Sequence, residues 1–308
     1  MQAVLNIIAP VFAIIALGYA AVRFNLINRE QTAGLGTFVI RIGMPALIFH
    51  ALTARGLGAT INNAYLLAYI VAAVLGFALG WFGTYKFTGN RAFAALNGMA
   101  FGMPNSGFIG YPLLAMVLGN EEAGGYFAMN VLVEMILVLP ALFILLDLAT
   151  GKNSNITTTL KRIIFNLLKN PMMLALLAGL LVSTSGIPMP IFIQKTTSLL
   201  AAATSPLALF VIGAGLYGLA FQSSNRHLLA IAAIRTTFFP LLVSGSLWLF
   251  GADKQTLFIG TLMSCAPIPT TYAIFAREHN LGAQTAAIAL ASTLLSLLPI
   301  TLVLVLWH

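Results

Sequence analysis

Ala100-Phe101-Gly102-Met103-Pro104-Asn105-Ser106-Gly107-Phe108-Ile109-Gly110-Tyr111-Pro112 lies inside an apolar segment long enough to cross a bilayer, yet it holds two prolines and three glycines. Proline removes a backbone donor and clashes with the preceding turn. Glycine loosens the backbone further. The stretch predicts a helix that breaks near mid-membrane, with N–H and C=O groups left over. Hydrocarbon cannot satisfy such groups, so the break must be buried in protein or line a wet cavity. Ser264-Cys265-Ala266-Pro267-Ile268-Pro269-Thr270-Thr271-Tyr272 has the same character near the other end of the chain.

The composition around these two stretches sets the class. Of 308 residues, 60% are hydrophobic and 7% charged, whereas soluble domains are about a quarter charged. The chain therefore reads as an all-α polytopic membrane protein. At about 20 residues per crossing, its length allows roughly ten spans with short loops. The first apolar run lacks a basic leader and a cleavage site, so it is expected to be a retained span. The single cysteine, Cys265, excludes an internal disulfide and a cysteine metal cluster. The net charge of +8 is assigned to cytoplasmic loops and not to nucleic-acid binding.

Ten spans are expected, near 4–22, 35–53, 63–87, 92–118, 124–146, 171–185, 197–221, 228–250, 256–276 and 284–307. The fourth breaks at Pro104 and the ninth at Pro267–Pro269. A polar linker from Asp147 to Lys169 is the clearest internal boundary. It divides the chain into a first five-span unit (1–149), a linker (150–169) and a second five-span unit (170–308).

The prolines predict that these units are copies. Pro10 and Pro171 are 161 apart, Pro45 and Pro206 161, Pro104 and Pro267 163, and Pro140 and Pro299 159. Gly18 with Gly179, and Phe49 with Phe210, follow the same offset. With the N-terminus on one side, the loops of that side hold three basic residues, Arg55, Lys195 and Lys254. The opposite loops hold ten: Arg23, Arg29, Lys86, Arg91, Lys152, Lys161, Arg162, Lys169, Arg226 and Arg277. The positive-inside rule puts the richer side in the cytoplasm and both termini outside. Five is odd, so the copies enter the membrane from opposite sides. Inverted repeats with interrupted helices at the midplane are a transporter architecture.

Each break offers a half-helix N-terminus with unpaired N–H donors and partial positive charge, suited to an anion. Asn105 and Ser106 on one side, and Thr270 and Thr271 on the other, add neutral donors and acceptors. The freed carbonyls of Gly102, Met103, Ala266 and Ile268 suit a cation. Arg235 lies within the eighth span and has two readings: a partner for a second carboxylate of the solute, or a side chain reaching the headgroups. Glu134 lies near the middle of the fifth span, with Asn130 one turn earlier on the same face. A carboxyl group removed from water is suited to taking up a proton, so Glu134 and Asn130 form the candidate proton or cation coupling site. A hydrogen-bonded helix contact is the plainer reading. Arg41, next to an expected kink at Gly43–Pro45 in the second span, reads as interfacial or structural more than as a substrate contact, and His50 as a satisfied interfacial histidine. No nucleophile, metalloprotease or nucleotide-binding motif occurs, so the expected protein is not an enzyme and not an ATP-driven pump.

Met44-Pro45-Ala46-Leu47-Ile48-Phe49, the Gly102–Pro112 stretch and Pro206-Leu207-Ala208-Leu209-Phe210-Val211-Ile212-Gly213-Ala214 together resemble the auxin efflux carrier family. That family includes bacterial malonate and malate permeases and the plant PIN carriers, and the resemblance covers essentially the whole chain. It implies a bile-acid/sodium symporter-like fold with crossing spans 4 and 9. It also implies a scaffold domain from spans 1, 2, 6 and 7, and a transport domain from spans 3–5 and 8–10. The implied activity is elevator-type transport of organic carboxylates such as malonate, malate or auxin-like acids, by a homodimer joined through the scaffold. The family's substrate contacts fall on Pro104, Asn105 and Pro267, with Pro269 beside them. The chain lacks the long central loop of the plant carriers and shows no clear aromatic-acid pocket. No cofactor is expected beyond a coupling ion, H+ or Na+. The expected location is the cell inner membrane, with lipids and a small anion as partners and no nucleic acid. A sodium-coupled symporter, an anion-binding sensor and a passive channel stand as alternatives.

Overall fold

The computed structural model describes residues 2–55, 61–149, 156–186, 188–217 and 226–307, and their regular structure is entirely helical. In chain order the helices are α1 (Gln2–Arg23), α2 (Arg29–Ala54), α3 (Asn63–Thr88), α4 (Arg91–Gly102), α5 (Tyr111–Leu118), α6 (Asn120–Ala149), α7 (Ile156–Lys169), α8 (Pro171–Ser185), α9 (Ile191–Leu216), α10 (Arg226–Leu249), α11 (Lys254–Ser264), α12 (Thr271–Ala276) and α13 (Gly282–Trp307). Six of these, α2, α3, α6, α9, α10 and α13, are long and apolar enough to cross a membrane, and a seventh crossing results if the bent pair α7–α8 is counted as one. The sequence predicts ten crossings. Part of the difference has a physical source, because α8 is short and the predicted fourth and ninth spans are interrupted, whereas α1, with 22 residues, is about 33 Å long. Helix α8 has 15 residues, about 22 Å at 1.5 Å per residue, against a hydrocarbon core of about 30 Å. The predicted fourth and ninth spans are each two short helices around a break.

The prolines shape the long helices in a repeated way. Met44 N–H donates to Val39 O, Tyr111 N–H to Ser106 O, and Leu139 N–H to Glu134 O. Each is a wide π turn, and each is followed at once by a proline: Pro45, Pro112 and Pro140. A proline ring collides with the carbonyl one turn back. Widening that turn moves the carbonyl aside and lets the helix continue with a bend. The kink expected at Gly43–Pro45 is thus a π turn over Val39–Gly43.

Small residues let the helices approach closely, as membrane packing requires. A Cβ at Gly213 would overlap the Ile15 carbonyl, and one at Gly18 the Phe210 carbonyl, so α1 and α9 cross main chain to main chain. Gly76 and Gly80 do the same for α3 against α4, where a Cβ on Gly80 would stand 2.7 Å from Asn97 O. Gly179 of α8 presses on Leu52 of α2. Outward faces keep large apolar side chains such as Leu67, Val74, Leu75 and Leu79 exposed.

Two segments differ from the sequence reading. The region taken as a linker is helical from Ile156 to Lys169, as α7, which meets α8 at a 68° bend. Leu160, Ile164, Phe165 and Leu168 of α7 are exposed, Lys169 Nζ stands 4.0 Å from the Phe165 ring centre, and Arg162 pairs with Asp147. This is the pattern of a helix lying in an interface. Helix α9 begins at Ile191 and not near Thr197, with Pro190 before its first turn. Lys152 of the predicted linker and Phe221 of the predicted seventh span lie outside the described residues.

Candidate functional site

The two interrupted segments meet. Helix α4 ends at Gly102, and Met103 is extended. Asn105 then adopts φ −74°, ψ 66°, and Ser106 N–H donates back to Pro104 O at 2.8 Å. That is an inverse γ-turn, which reverses the chain tightly without needing the donor that Pro104 lacks. It turns the Asn105 N–H outward, where it donates to Pro267 O at 2.7 Å. On the other side Ile268 N–H donates to Ser292 Oγ at 3.1 Å, which ties the second break to α13. Asn105 Oδ1 accepts from Phe108 N–H at 3.4 Å and so caps the second half of its own segment. Pro104, Asn105, Ser106, Pro267 and Pro269 are buried, Thr271 is half-buried and Thr270 is exposed.

A polar cluster stands against the first break. Glu134 Oε1 accepts from Ser106 Oγ at 2.5 Å and from Tyr69 Oη at 2.8 Å. Asn130 Nδ2 donates to Ser106 Oγ at 3.3 Å, and Asn130 Oδ1 accepts from Tyr65 Oη at 2.8 Å. Ser106 and Glu134 are each the first residue of a π turn. The widened turn there brings both side chains to one point, and such turns recur at functional sites. The structure therefore brings together Ser106, Asn130 and Glu134 from the sequence-based set. It adds Tyr65 and Tyr69, which sequence reasoning missed. A signal existed: Tyr65 and Tyr69 are four apart on α3, as Asn130 and Glu134 are on α6.

Arg235 is fully buried on α10, so it does not reach the headgroups. Its Nε donates to Ala100 O at 3.0 Å, Nη2 to Met103 O at 3.1 Å, and Nη1 to Ala266 O at 2.7 Å, with Ser264 O at 3.5 Å from Nη1. Its guanidinium carbon lies 5.1 Å from the Phe239 ring centre. The carbonyls it meets belong to the C-terminal ends of α4 and α11. Arg41 is exposed on α2, and His50 Nδ1 lies 3.3 Å from Thr197 Oγ1.

Two of the cavities lie apart, the first at the turn between α5 and α6 and the second beside the first break. One of about 490 Å³ is lined by His50, Glu121, Glu122 and Ser198 among others. A smaller apolar one of about 130 Å³ lies between Val11 and Ile15 of α1, Ile109 and Leu113 beyond the first break, and Thr293 and Ile300 of α13.

Residues 3–305 match the family model described as "Membrane transport protein". The chain is 25% identical over 298 residues to "Uncharacterized transporter YfdV" of Escherichia coli (strain K12), covering 93% of this chain and 91% of that protein. It is 24% identical over 305 residues to "Putative malonate transporter" of Rhizobium meliloti (strain 1021), covering 98% and 95%. It is also 25% identical over 303 residues to "Uncharacterized transporter" of Methanothermobacter thermautotrophicus, covering 96% and 95%. With interrupted helices joined inside an apolar bundle and a family match running almost end to end, the chain belongs to the membrane transport proteins of the auxin efflux carrier family.

Proposed function

We propose that the protein is a secondary carrier of small organic carboxylates, malonate and malate being the first to test. In this reading it works in the cell inner membrane by elevator-type alternating access. The observation that carries the proposal is the Asn105 N–H to Pro267 O bond of 2.7 Å. It joins two helix breaks main chain to main chain, next to polar side chains, at the place where carriers of this architecture hold their solute. The N-terminal end beyond Asn105 leads a run from Ser106 to Leu118 and brings most of the positive potential. Helix α12, with 6 residues, adds less, and its contribution rests on the hydroxyls of Thr270 and Thr271 beside Pro269. The name of the Rhizobium relative supports a dicarboxylate.

Ten spans in two inverted copies remain the arrangement we favour, with both termini extracytoplasmic. The pairs Tyr65–Asn130 and Tyr69–Glu134 advance in the same direction along both chains, so α3 and α6 run parallel where they touch. The intervening α4–α5 segment then carries the chain back across the membrane. Gly18 sits in the close crossing of α1 with α9, and Gly179 in that of α8 with α2. Exchanging the two halves converts one contact into the other, as an internal repeat requires. The apolar slot between α1 and the α5–α13 side supports a seam along which a transport domain slides past a scaffold of α1, α2, α8 and α9. The scaffold's outer apolar face is where a homodimer would form. Glu134, with Asn130 beside it, is the proposed proton-coupling residue, since its carboxylate touches the break through Ser106.

Uptake of labelled malonate, malate and an aromatic acid into proteoliposomes tests the reading. Saturable uptake with counterflow supports a carrier. Non-saturating flux indicates a channel, binding without flux indicates a sensor, and neither binding nor flux by folded protein defeats the proposal.

A further inference from the structure

The breaks create two kinds of surplus main-chain group. Several N–H groups at their N-terminal ends are already paired, Ser106 N–H with Pro104 O and Phe108 N–H with Asn105 Oδ1, whereas their C-terminal ends carry carbonyls with no intrahelical partner. A helix C-terminus bears about half a negative charge, so the ends of α4 and α11 together present about one. Among the described residues no carboxylate stands within ion-pair distance of Arg235. Its partners are instead carbonyls from both ends, those of Ala100 in α4 and Met103 just past it, and those of Ser264 at the end of α11 and Ala266 just past it. The charge of one guanidinium thus matches the two half-charges. Its planar fork reaches both ends at once, which a compact ammonium does not do. Phe239 closes one face of the group.

Two of the carbonyls suited to holding a coupling cation, those of Met103 and Ala266, are therefore already occupied. We infer that Arg235 is the resident cation of the helix junction, fixing the two breaks to each other and taking the place of a coupling sodium ion, so that the carrier works without sodium. This deepens the transport reading above and rests on it for the coupling claim alone. Arg235 is in this account a positioning residue. Four of its five N–H donors meet main-chain carbonyls, and the solute's negative charge is left to the opposite, N-terminal ends.

The test uses full-length protein in detergent and reads the unfolding temperature, which needs no solute. Wild type is expected to melt at the same temperature in sodium as in potassium. Arg235→Ala, with four carbonyls stranded, is expected to melt about 5–10 °C lower. Millimolar guanidinium should return at least part of that loss in Arg235→Ala and none in wild type. Arg235→Lys, which keeps the charge but not the fork, is expected between the two, and it serves if the alanine variant does not fold.

Sodium-specific stabilisation of wild type overturns the inference. So does an Arg235→Ala protein that melts like wild type, or one that guanidinium leaves unmoved, since a packing role alone predicts no rescue. In proteoliposomes, malonate uptake should change by less than about twofold when potassium replaces sodium, whereas a loss of about tenfold, roughly 1.4 kcal/mol, contradicts it. Failure of the transport reading looks different: no uptake in either salt, with the melting results unchanged.

Discussion

Replacing Tyr69 with phenylalanine and Ser106 with alanine, singly and together, probes the polar cluster at the first break. Both side chains donate to the same oxygen, Glu134 Oε1, from 2.8 and 2.5 Å. In a soluble core, a hydrogen bond to a charged group contributes about 1.5–3 kcal/mol. Membrane proteins return less, about 0.6 kcal/mol on average and up to about 1.7, because the unfolded chain in lipid also finds partners. Ser106 further accepts from Asn130 at 3.3 Å. We therefore expect about 0.5–1 kcal/mol for Tyr69→Phe and about 1–2 for Ser106→Ala. The double variant removes both donors and leaves that oxygen without either. It should lose about 0.5–1.5 kcal/mol more than the sum of the single losses, since contacting residues couple at that level. Reversible unfolding in mixed micelles measures all four proteins. Additivity within about 0.3–0.5 kcal/mol would mean that the two hydroxyls do not share one acceptor, and the cluster as described would be wrong.

Three further outcomes follow from the geometry. Gly213→Ala drives a methyl group into the Ile15 carbonyl and should destabilise the protein by about 1–3 kcal/mol, read as a lower unfolding temperature, whereas Gly215→Ala, which meets nothing, should not. Asp253, outside the membrane-spanning helices, accepts from Thr256 N–H at 2.6 Å and caps α11, and this bond holds its carboxyl below the ordinary aspartate range. Its contribution is present above the unfolded-state pKa and fades as pH falls through the lower folded value. Asp253→Ala should therefore cost about 0.5–2 kcal/mol at neutral pH, and the gap from wild type should shrink on acidification. Glu134→Gln should leave malonate counterflow intact while removing the response of uptake to an imposed pH gradient. An unchanged pH response in that variant would exclude Glu134 as the proton carrier.

The parts of the fold that depend on local backbone chemistry were legible in the residues. Pro104, Pro267 and Pro269 announce breaks because a missing N–H acts wherever the proline sits. Asn130 and Glu134 announce a shared helix face by their spacing alone. Long-range choices were not legible in the same way. Tyr65 and Tyr69 read as ordinary aromatic residues of an apolar helix until their hydroxyls are placed opposite α6. Arg235 left two roles open, and the structure directs its donors to carbonyls more than a hundred residues away, a pairing that sequence spacing does not encode. Helix α7 was hidden for another reason: its charges and threonines look like a linker. Its period of Leu160, Ile163, Ile164, Leu167 and Leu168 is the helical signal they masked.

The most direct measurement is a density map of the protein with malonate bound. The account predicts density for the dicarboxylate between residues 104–106 and 267–271, with a carboxylate toward the N-terminal end that begins at Ser106, and Arg235 still engaged with its carbonyls. Malonate seated instead in the cavity beside His50 and Glu122, or in contact with Arg235, would contradict it.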